Sequence, residues 1–282
     1  MQTAKAKCKA TLRLMFQNYY HHNVGKNAAA LAYYLFFALF PLLIFASNLL
    51  GLLDLDLLVV TNALKQIMPN DVVGIFEAYL NYISENSSHV LMWFSLIFSI
   101  WFPTRAARGL MDDVRQAYGL GKPERPVAYT VRQLLYTLVF LVVIALTLIL
   151  SIMSEGMLGH VIELISQTDA QISGYLLQLW QYLRFLPVGL LMLAAIGSLY
   201  ALALERKQPI KALLPGILAA LPAWMLVSIG FSFYVENLAN YSLIYGTLGA
   251  MIVLLIWLYM TAMILILGAE LNAALAVVRE PE

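Results

Sequence analysis

The chain has 282 residues, of which 62% are hydrophobic and 12% are charged, and its formal net charge is +1. Soluble domains carry about a quarter of their residues as charged side chains, so this composition excludes an ordinary soluble domain and indicates a helical membrane protein. Such a length also leaves no room for a soluble catalytic domain beside a membrane bundle.

The chain begins with a basic amphipathic segment, residues 1–26. Leu12, Phe16 and Tyr19 fall near one face of a helix, and Lys9 and Arg13 stand at its margin. This pattern predicts an interfacial helix on the cytoplasmic side, with its basic side chains reaching toward lipid phosphates. We therefore expect the lipid bilayer as a partner, anionic lipids included.

Six apolar runs follow, each long enough or nearly long enough to cross a bilayer, which takes about 20 residues. Because the backbone must satisfy its own hydrogen bonds in lipid, we predict an all-α fold with one six-helix transmembrane domain over residues 27–278 and a tail at 279–282. The predicted spans are 28–53, 89–105, 131–153, 183–204, 212–234 and 243–267.

The basic residues divide between alternate connections. Of the 17 lysines and arginines, all but Lys65 and Arg184 fall before span one, between spans two and three, between spans four and five, or after span six. Cytoplasmic connections carry such an excess. The split predicts that both termini are cytoplasmic.

The connection between spans one and two has a second amphipathic pattern. Apolar side chains repeat at helical spacing in residues 57–68 and 71–84, on either side of Pro69. We predict a helical hairpin that packs on the outer membrane surface.

Prolines interrupt several spans, and Pro41, Pro215 and Pro222 are the candidate helix breaks. A broken helix can present free carbonyl groups or a positive helix end to a substrate. Proline in a membrane helix also serves packing or a kink alone. Both interpretations stay open.

Ionisable residues near the inner ends of the spans form the candidate substrate or ion site. A charge in the membrane interior costs about 3 kcal/mol and needs a partner or a purpose. Two interpretations remain: a Glu270–arginine pair that only ties helix ends together, or a basic pocket for an anionic group in which Glu270 holds the arginines or exchanges protons. The candidates are Arg105, Arg108, Arg132, Glu270 and Asn272.

The usual catalytic constellations are missing from the sequence. His21 and His22 are adjacent while His89 and His160 are external by topology, so the four histidines and the single cysteine cannot form one metal site. There is no phosphate-cradling glycine loop with its lysine and no nucleophile elbow. We expect no catalytic residues, no metal, no cofactor and no nucleic-acid partner.

Several short segments carry a family resemblance. They are Asn27–Tyr34 and Phe36–Pro41 in span one, Arg105 with the Arg108–Tyr118 helix extension, Pro215 with Gly216 in span five, and the Tyr245–Gly249, Trp257–Tyr259 and Gly268–Asn272 motifs. With these the chain resembles the YihY/BrkB family of bacterial inner-membrane proteins. The resemblance implies a six-helix inner-membrane protein of no settled molecular function. Members have been labelled ribonuclease BN and virulence factor, but this sequence lacks the residues a nuclease needs, so we expect no enzyme.

Two functional hypotheses follow from the residues. The first is a transporter or translocase-like protein for an anionic solute or lipid headgroup, with the arginines and Glu270 at its site. The alternative is a non-transporting membrane scaffold or envelope-integrity factor. The sequence leaves open whether the chain forms a homo-oligomer.

Overall fold

The structure is a computed structural model that describes residues 4–52, 89–165, 185–204, 208–237 and 247–279, with isolated positions between 65 and 81. Every secondary-structure element in this part of the chain is an α-helix, which confirms the predicted all-α class. The helices are α1 (Ala4–His21), α2 (Val24–Leu52), α3 (His89–Ala117), α4 (Pro126–Ile165), α5 (Phe185–Ala203), α6 (Ile210–Asn237) and α7 (Thr247–Arg279).

Five described helices are long and apolar enough to cross a membrane. The qualifying segments are Val24–Leu43, Pro126–Thr147, Leu186–Ala203, Ile210–Val235 and Leu248–Arg279. The remaining predicted span, 89–105, is the first part of α3, where several side chains lie outside the described residues. A crossing by α3, and hence the six-span count, stays a prediction.

The main hydrophobic core shows that successive helices run in opposite directions. It brings the starts of α2, α4 and α6 together with the ends of α3, α5 and α7, as in the contacts of Val24, Met111 and Ala269. We call this end of the bundle the basic end, because Arg105, Arg108 and Arg132 lie on the same parts of α3 and α4. α1 packs here against α7 and α2.

Several helices extend beyond the spans predicted within them. α3 runs to Ala117, past the span 89–105, α4 runs to Ile165, past the span 131–153, and α7 runs to Arg279, past the span 243–267. An apolar run marks where a helix is in lipid but not where the helix ends, since polar residues extend it when their side chains find partners. Glu270 and Asn272 are therefore interior residues of α7.

The candidate helix breaks are not interruptions of the backbone. α2 continues through Pro41, and α6 continues through both Pro215 and Pro222. Proline removes one helical hydrogen bond, and neighbouring groups can satisfy the backbone around it. At Pro215 the neighbouring group is a side chain of α7, described below.

The predicted hairpin over 57–68 and 71–84 lies mostly outside the described residues. Of the positions that are described, Lys65 and Glu77 form an ion pair at 2.9 Å. Val73 is buried in a second hydrophobic cluster with residues of α2, α6 and α7 such as Leu43 and Val253.

Candidate functional site: a buried carboxylate cluster at the basic end

Glu270 is completely buried and is held by the end of α1. Its Oε2 accepts a hydrogen bond from Asn18 Nδ2 at 2.9 Å, and its Oε1 lies 2.5 Å from Nδ1 of His22. The exposed fraction of the glutamate side chain is 1%, against 15% for the histidine. A buried carboxylate is costly unless it is paired and hydrogen-bonded. Both conditions are met here by residues at the end of α1.

A second buried carboxylate, Asp113 of α3, belongs to the same group. Asn27 Nδ2 donates to Asp113 Oδ1 at 2.7 Å and to the backbone carbonyl of His22 at 3.1 Å. Asn27 therefore joins α3 to the junction between α1 and α2. We call Asn18, His22, Asn27, Asp113 and Glu270 the carboxylate cluster.

Burial and the neighbouring charges act on the Asp113 carboxyl group. Asp113 lies beyond the apolar part of α3, and burial raises its pKa from an ordinary 3.8 to about 7. The Asn27 hydrogen bond lowers the pKa of Asp113, while the negative charges of Asp112 and Glu270 raise it further. Near neutral pH this carboxyl group is therefore divided between its protonated and ionised forms.

The predicted arginines lie apart from Glu270. Arg105 is exposed, with its guanidinium 5.3 Å from the centre of the Trp101 ring, and Arg108 is exposed one turn further along α3. Arg132 donates to the carbonyl of Leu204 at 3.3 Å. Among the described residues, no ion pair joins Glu270 to an arginine. The expected depth was similar, but depth does not determine which way each helix face turns.

Asn272 ties α7 to α6 and does not face an open site. Its Oδ1 accepts from the backbone N–H of Gly216 at 2.6 Å, and its Nδ2 donates to the carbonyl of Leu213 at 2.9 Å. These two backbone groups flank Pro215. The Asn272 amide thus uses one donor and one acceptor to satisfy the helix beside the proline.

Small residues allow this close approach. A Cβ added at Gly216 would collide with the carbonyl oxygen of Gly268 and with the Asn272 amide, and one added at Gly268 would collide with the hydroxyl of Tyr200. Small residues let helix backbones approach closely, and these two glycines do so between α6 and α7.

Four members of the cluster were not predicted as site residues from the sequence: Asn18, His22, Asn27 and Asp113. His22 was considered only as a metal ligand, and within the part of the chain that the structure describes no three His, Cys, Asp or Glu side chains are grouped to hold a metal ion. One signal was available. Asn18 and His22 are four residues apart, and the N–H of His22, just after α1, still donates to the Asn18 carbonyl at 2.8 Å, so the two side chains lie on the same side.

Fold and site together define a multi-pass helical membrane protein with the buried carboxylate cluster at its basic end. The chain belongs to the family described as Virulence factor BrkB, whose family model matches residues 15–282. This finding confirms the resemblance drawn from the motifs.

Individual relatives give two kinds of name. The "Putative ribonuclease-like protein YfkH" of Bacillus subtilis (strain 168) is 28% identical over 264 residues, which is 94% of either chain. A "UPF0761 membrane protein" of Pseudoalteromonas translucida (strain TAC 125) is 32% identical over 126 residues, 44% of this chain and 40% of that relative. Another, of Vibrio parahaemolyticus, is 38% identical over 94 residues, 33% of this chain and 30% of its own. No solved structure matches the chain significantly.

Proposed function

We propose that the chain is a transporter or translocase-like protein of the bacterial inner membrane, with six crossings and both termini in the cytoplasm. Its cargo carries an anionic group, a phosphate or carboxylate, on a small solute or a lipid headgroup. The observation that carries this proposal is the exposed pair of guanidinium groups, Arg105 and Arg108, where the apolar part of α3 ends.

The surroundings of this pair suit an anionic headgroup. Trp101, Ile97 and Ile100 on the preceding turns are exposed, as expected of a surface that faces lipid acyl chains. Arg105 stacks on Trp101, which fixes one guanidinium plane near the apolar surface. Arginine binds phosphate and carboxylate oxygens through paired N–H donors. Arg132 of α4 is a further, partly exposed arginine at the basic end.

Reconstituted full-length protein provides the test. One arm measures the movement of fluorescent phosphatidylglycerol between leaflets of liposomes, and the other measures uptake of glycerol phosphate. Hydrogen bonds to charged groups contribute about 1.5–3 kcal/mol, so we expect the Arg105→Ala/Arg108→Ala double variant to lose roughly tenfold or more of the rate in one arm. The arm that responds identifies the cargo as lipid or solute.

The matched control is Arg125→Ala, which removes an exposed arginine from the loop before α4. It should retain the wild-type rate. The proposal would be contradicted if liposomes with and without the protein gave the same rates in both arms. Equal rates for the double variant and the control would also contradict it.

A second candidate is the non-transporting scaffold or envelope-integrity factor. The observation that favours it is the use of Glu270 and Asn272, two of the predicted site residues, in contacts between helices. This candidate predicts stable co-purifying membrane partners, unchanged by Arg105→Ala/Arg108→Ala, and no flux in either liposome arm.

We further propose that the chain is not an enzyme. The ribonuclease-like name belongs to a Bacillus relative, and no residue set in the described part of this chain supplies a nuclease mechanism. RNA cleavage by the purified protein that a single substitution abolishes would overturn this.

A further inference from the structure

We propose that the carboxylate cluster is a proton-binding site, and that loss of its proton releases helix α1 from α7. This inference goes beyond transport of an anionic cargo and does not depend on it. It rests on the placement of two buried carboxylates beside one histidine, at the point where the end of α1 is hydrogen-bonded to α7.

Charge counting shows why the cluster binds a proton. Glu270 has two hydrogen-bonding partners, the His22 ring and the Asn18 amide. Asp113 has no cationic partner among the described residues and is 8% exposed. When it ionises, the cluster carries one uncompensated buried negative charge beside Glu270, which is unfavourable.

The neighbouring helices place the following groups around this charge. α4 contributes the Tyr129 hydroxyl, which donates to Asp112, and α3 itself carries the buried Arg115, which donates to the carbonyls of Ala203 and Gly121. α1 contributes His22, with the His21 ring 5.4 Å from it, and the neutral Asn18. α2 contributes the neutral Asn27 amide. α3 contributes Asp112, whose charge acts against ionisation of Asp113, and the neutral Gln116 amide near Asn27. α7 contributes Glu270.

Asn27 links the proton to the attachment of α1. Its side-chain nitrogen is shared between the Asp113 carboxyl group and the backbone carbonyl of His22. Ionised Asp113 draws this donor more strongly and repels Glu270, and both effects weaken the contacts that His22 makes. Because the His22 side chain is partly exposed, the cluster can exchange protons with water on the α1 side.

The free face of α1 gives its release a consequence at the membrane surface. Leu12, Phe16 and Tyr20 are exposed at successive turns, while Asn18 and His22 are turned toward α7. Released from α7, the helix can rotate or tilt in the interface while these apolar side chains stay in lipid.

The chain supplies its own reporter for the test. Cys8 is exposed on α1 and is the single cysteine of the sequence. A second label goes on Val277→Cys, which replaces an exposed residue near the end of α7. Distances between nitroxides at these two positions are measured by double electron–electron resonance, in full-length protein in lipid nanodiscs, between about pH 6 and about pH 8.5.

We expect one narrow distance distribution at the acidic limit. It should broaden by the alkaline limit with a midpoint near pH 7, because that is where Asp113 ionises. Asp113→Asn keeps an oxygen that can accept the hydrogen bond from Asn27 but cannot ionise. The distance distribution of this variant should therefore stay narrow at every pH. The distance distribution of Glu270→Gln should be broad at every pH. Gel filtration first checks that this variant is folded.

Asp112→Asn is the matched control. It removes a neighbouring carboxylate whose charge raises the pKa of Asp113, so the transition should persist with a lower midpoint. A wild-type distribution that does not change over this range would overturn the proposal, as would a transition that survives in Asp113→Asn. Neither result bears on the liposome assays, so the two proposals fail separately.

Discussion

Asn272 of α7 accepts a hydrogen bond from the backbone N–H of Gly216 in α6 at 2.6 Å, across a sequence separation of 56 residues. The same amide donates to the carbonyl of Leu213. α6 therefore carries Pro215 inside a continuous helix because α7 supplies hydrogen-bonding groups beside it.

Replacing this amide should destabilise the bundle. Asn272→Ala leaves a buried N–H and a buried carbonyl without their side-chain partner, and each such loss costs about 1–3 kcal/mol. Values at the lower end are expected in a membrane protein. Unfolding in mixed micelles measures the change. Gln17→Ala, which removes an exposed amide from α1, should leave the free energy of unfolding unchanged.

Gly216 and Gly230 provide a matched pair on one helix. Gly216→Ala would push a methyl group into the carbonyl of Gly268, whereas a Cβ at Gly230 meets nothing within 4 Å. We expect a lower apparent melting temperature and lower yield for Gly216→Ala, and wild-type behaviour or a slight gain for Gly230→Ala. Equal effects at both positions would show that α6 and α7 do not approach as closely as described.

Tyr200 and Gly268 should be coupled energetically. The Tyr200 hydroxyl donates to the carbonyl of Leu265 at 2.7 Å and is the first atom that a Cβ at Gly268 would meet. Tyr200→Phe alone should cost about 1 kcal/mol for one hydrogen bond. Gly268→Ala should be less harmful in a chain that already carries Tyr200→Phe than in the wild type. A double-mutant cycle measures this, and strict additivity would contradict the contact.

The stability of the folded protein should fall as the pH rises, because of Asp113. Its pKa is raised in the folded protein to about 7, so the protonated form favours folding. The stabilisation is complete below the ordinary carboxyl range and is lost as the pH rises through about 7. Apparent melting temperatures should therefore fall from mildly acidic to mildly alkaline buffer, and Asp113→Asn should flatten this slope. A steeper slope in the variant would exclude Asp113 as the source.

Membrane orientation can be measured with the native cysteine. If both termini are cytoplasmic, a membrane-impermeant maleimide should label Cys8, which is exposed, in inverted vesicles and not in intact spheroplasts. A Cys8→Ser variant controls for background. Labelling in spheroplasts alone would reverse the orientation inferred from the lysines and arginines.

The helical elements could be predicted from the sequence because lipid exposure demands long apolar runs. Helix ends were harder to place, as α7 shows. The apolar run stops near residue 267, but Ala269, Ala273 and Ala274 pack on neighbouring helices, so the helix continues to Arg279. Burial by protein replaces burial by lipid there, and hydropathy does not distinguish the two.

The candidate site could be predicted only by depth. Hydropathy predicted Glu270 near a helix end, and in the structure its contacts are His22 and Asn18, not the arginines. Choosing between these partners requires the rotation of each helix about its axis and the docking of α1. Neither is encoded in a single local pattern. Formal charge favoured arginine, whereas burial favours a partner that can also be neutral.

The contact between His22 and Glu270 also sets an order of events in biosynthesis, because 248 residues separate the two along the chain. The ribosome makes α1 before the end of α7, so α1 cannot dock until the 248 residues between the two contacts have been made. Chains that stop before residue 270 leave Asn18 and His22 without the carboxylate. An undocked α1 therefore distinguishes a chain whose α7 is unfinished or unpacked from the complete fold.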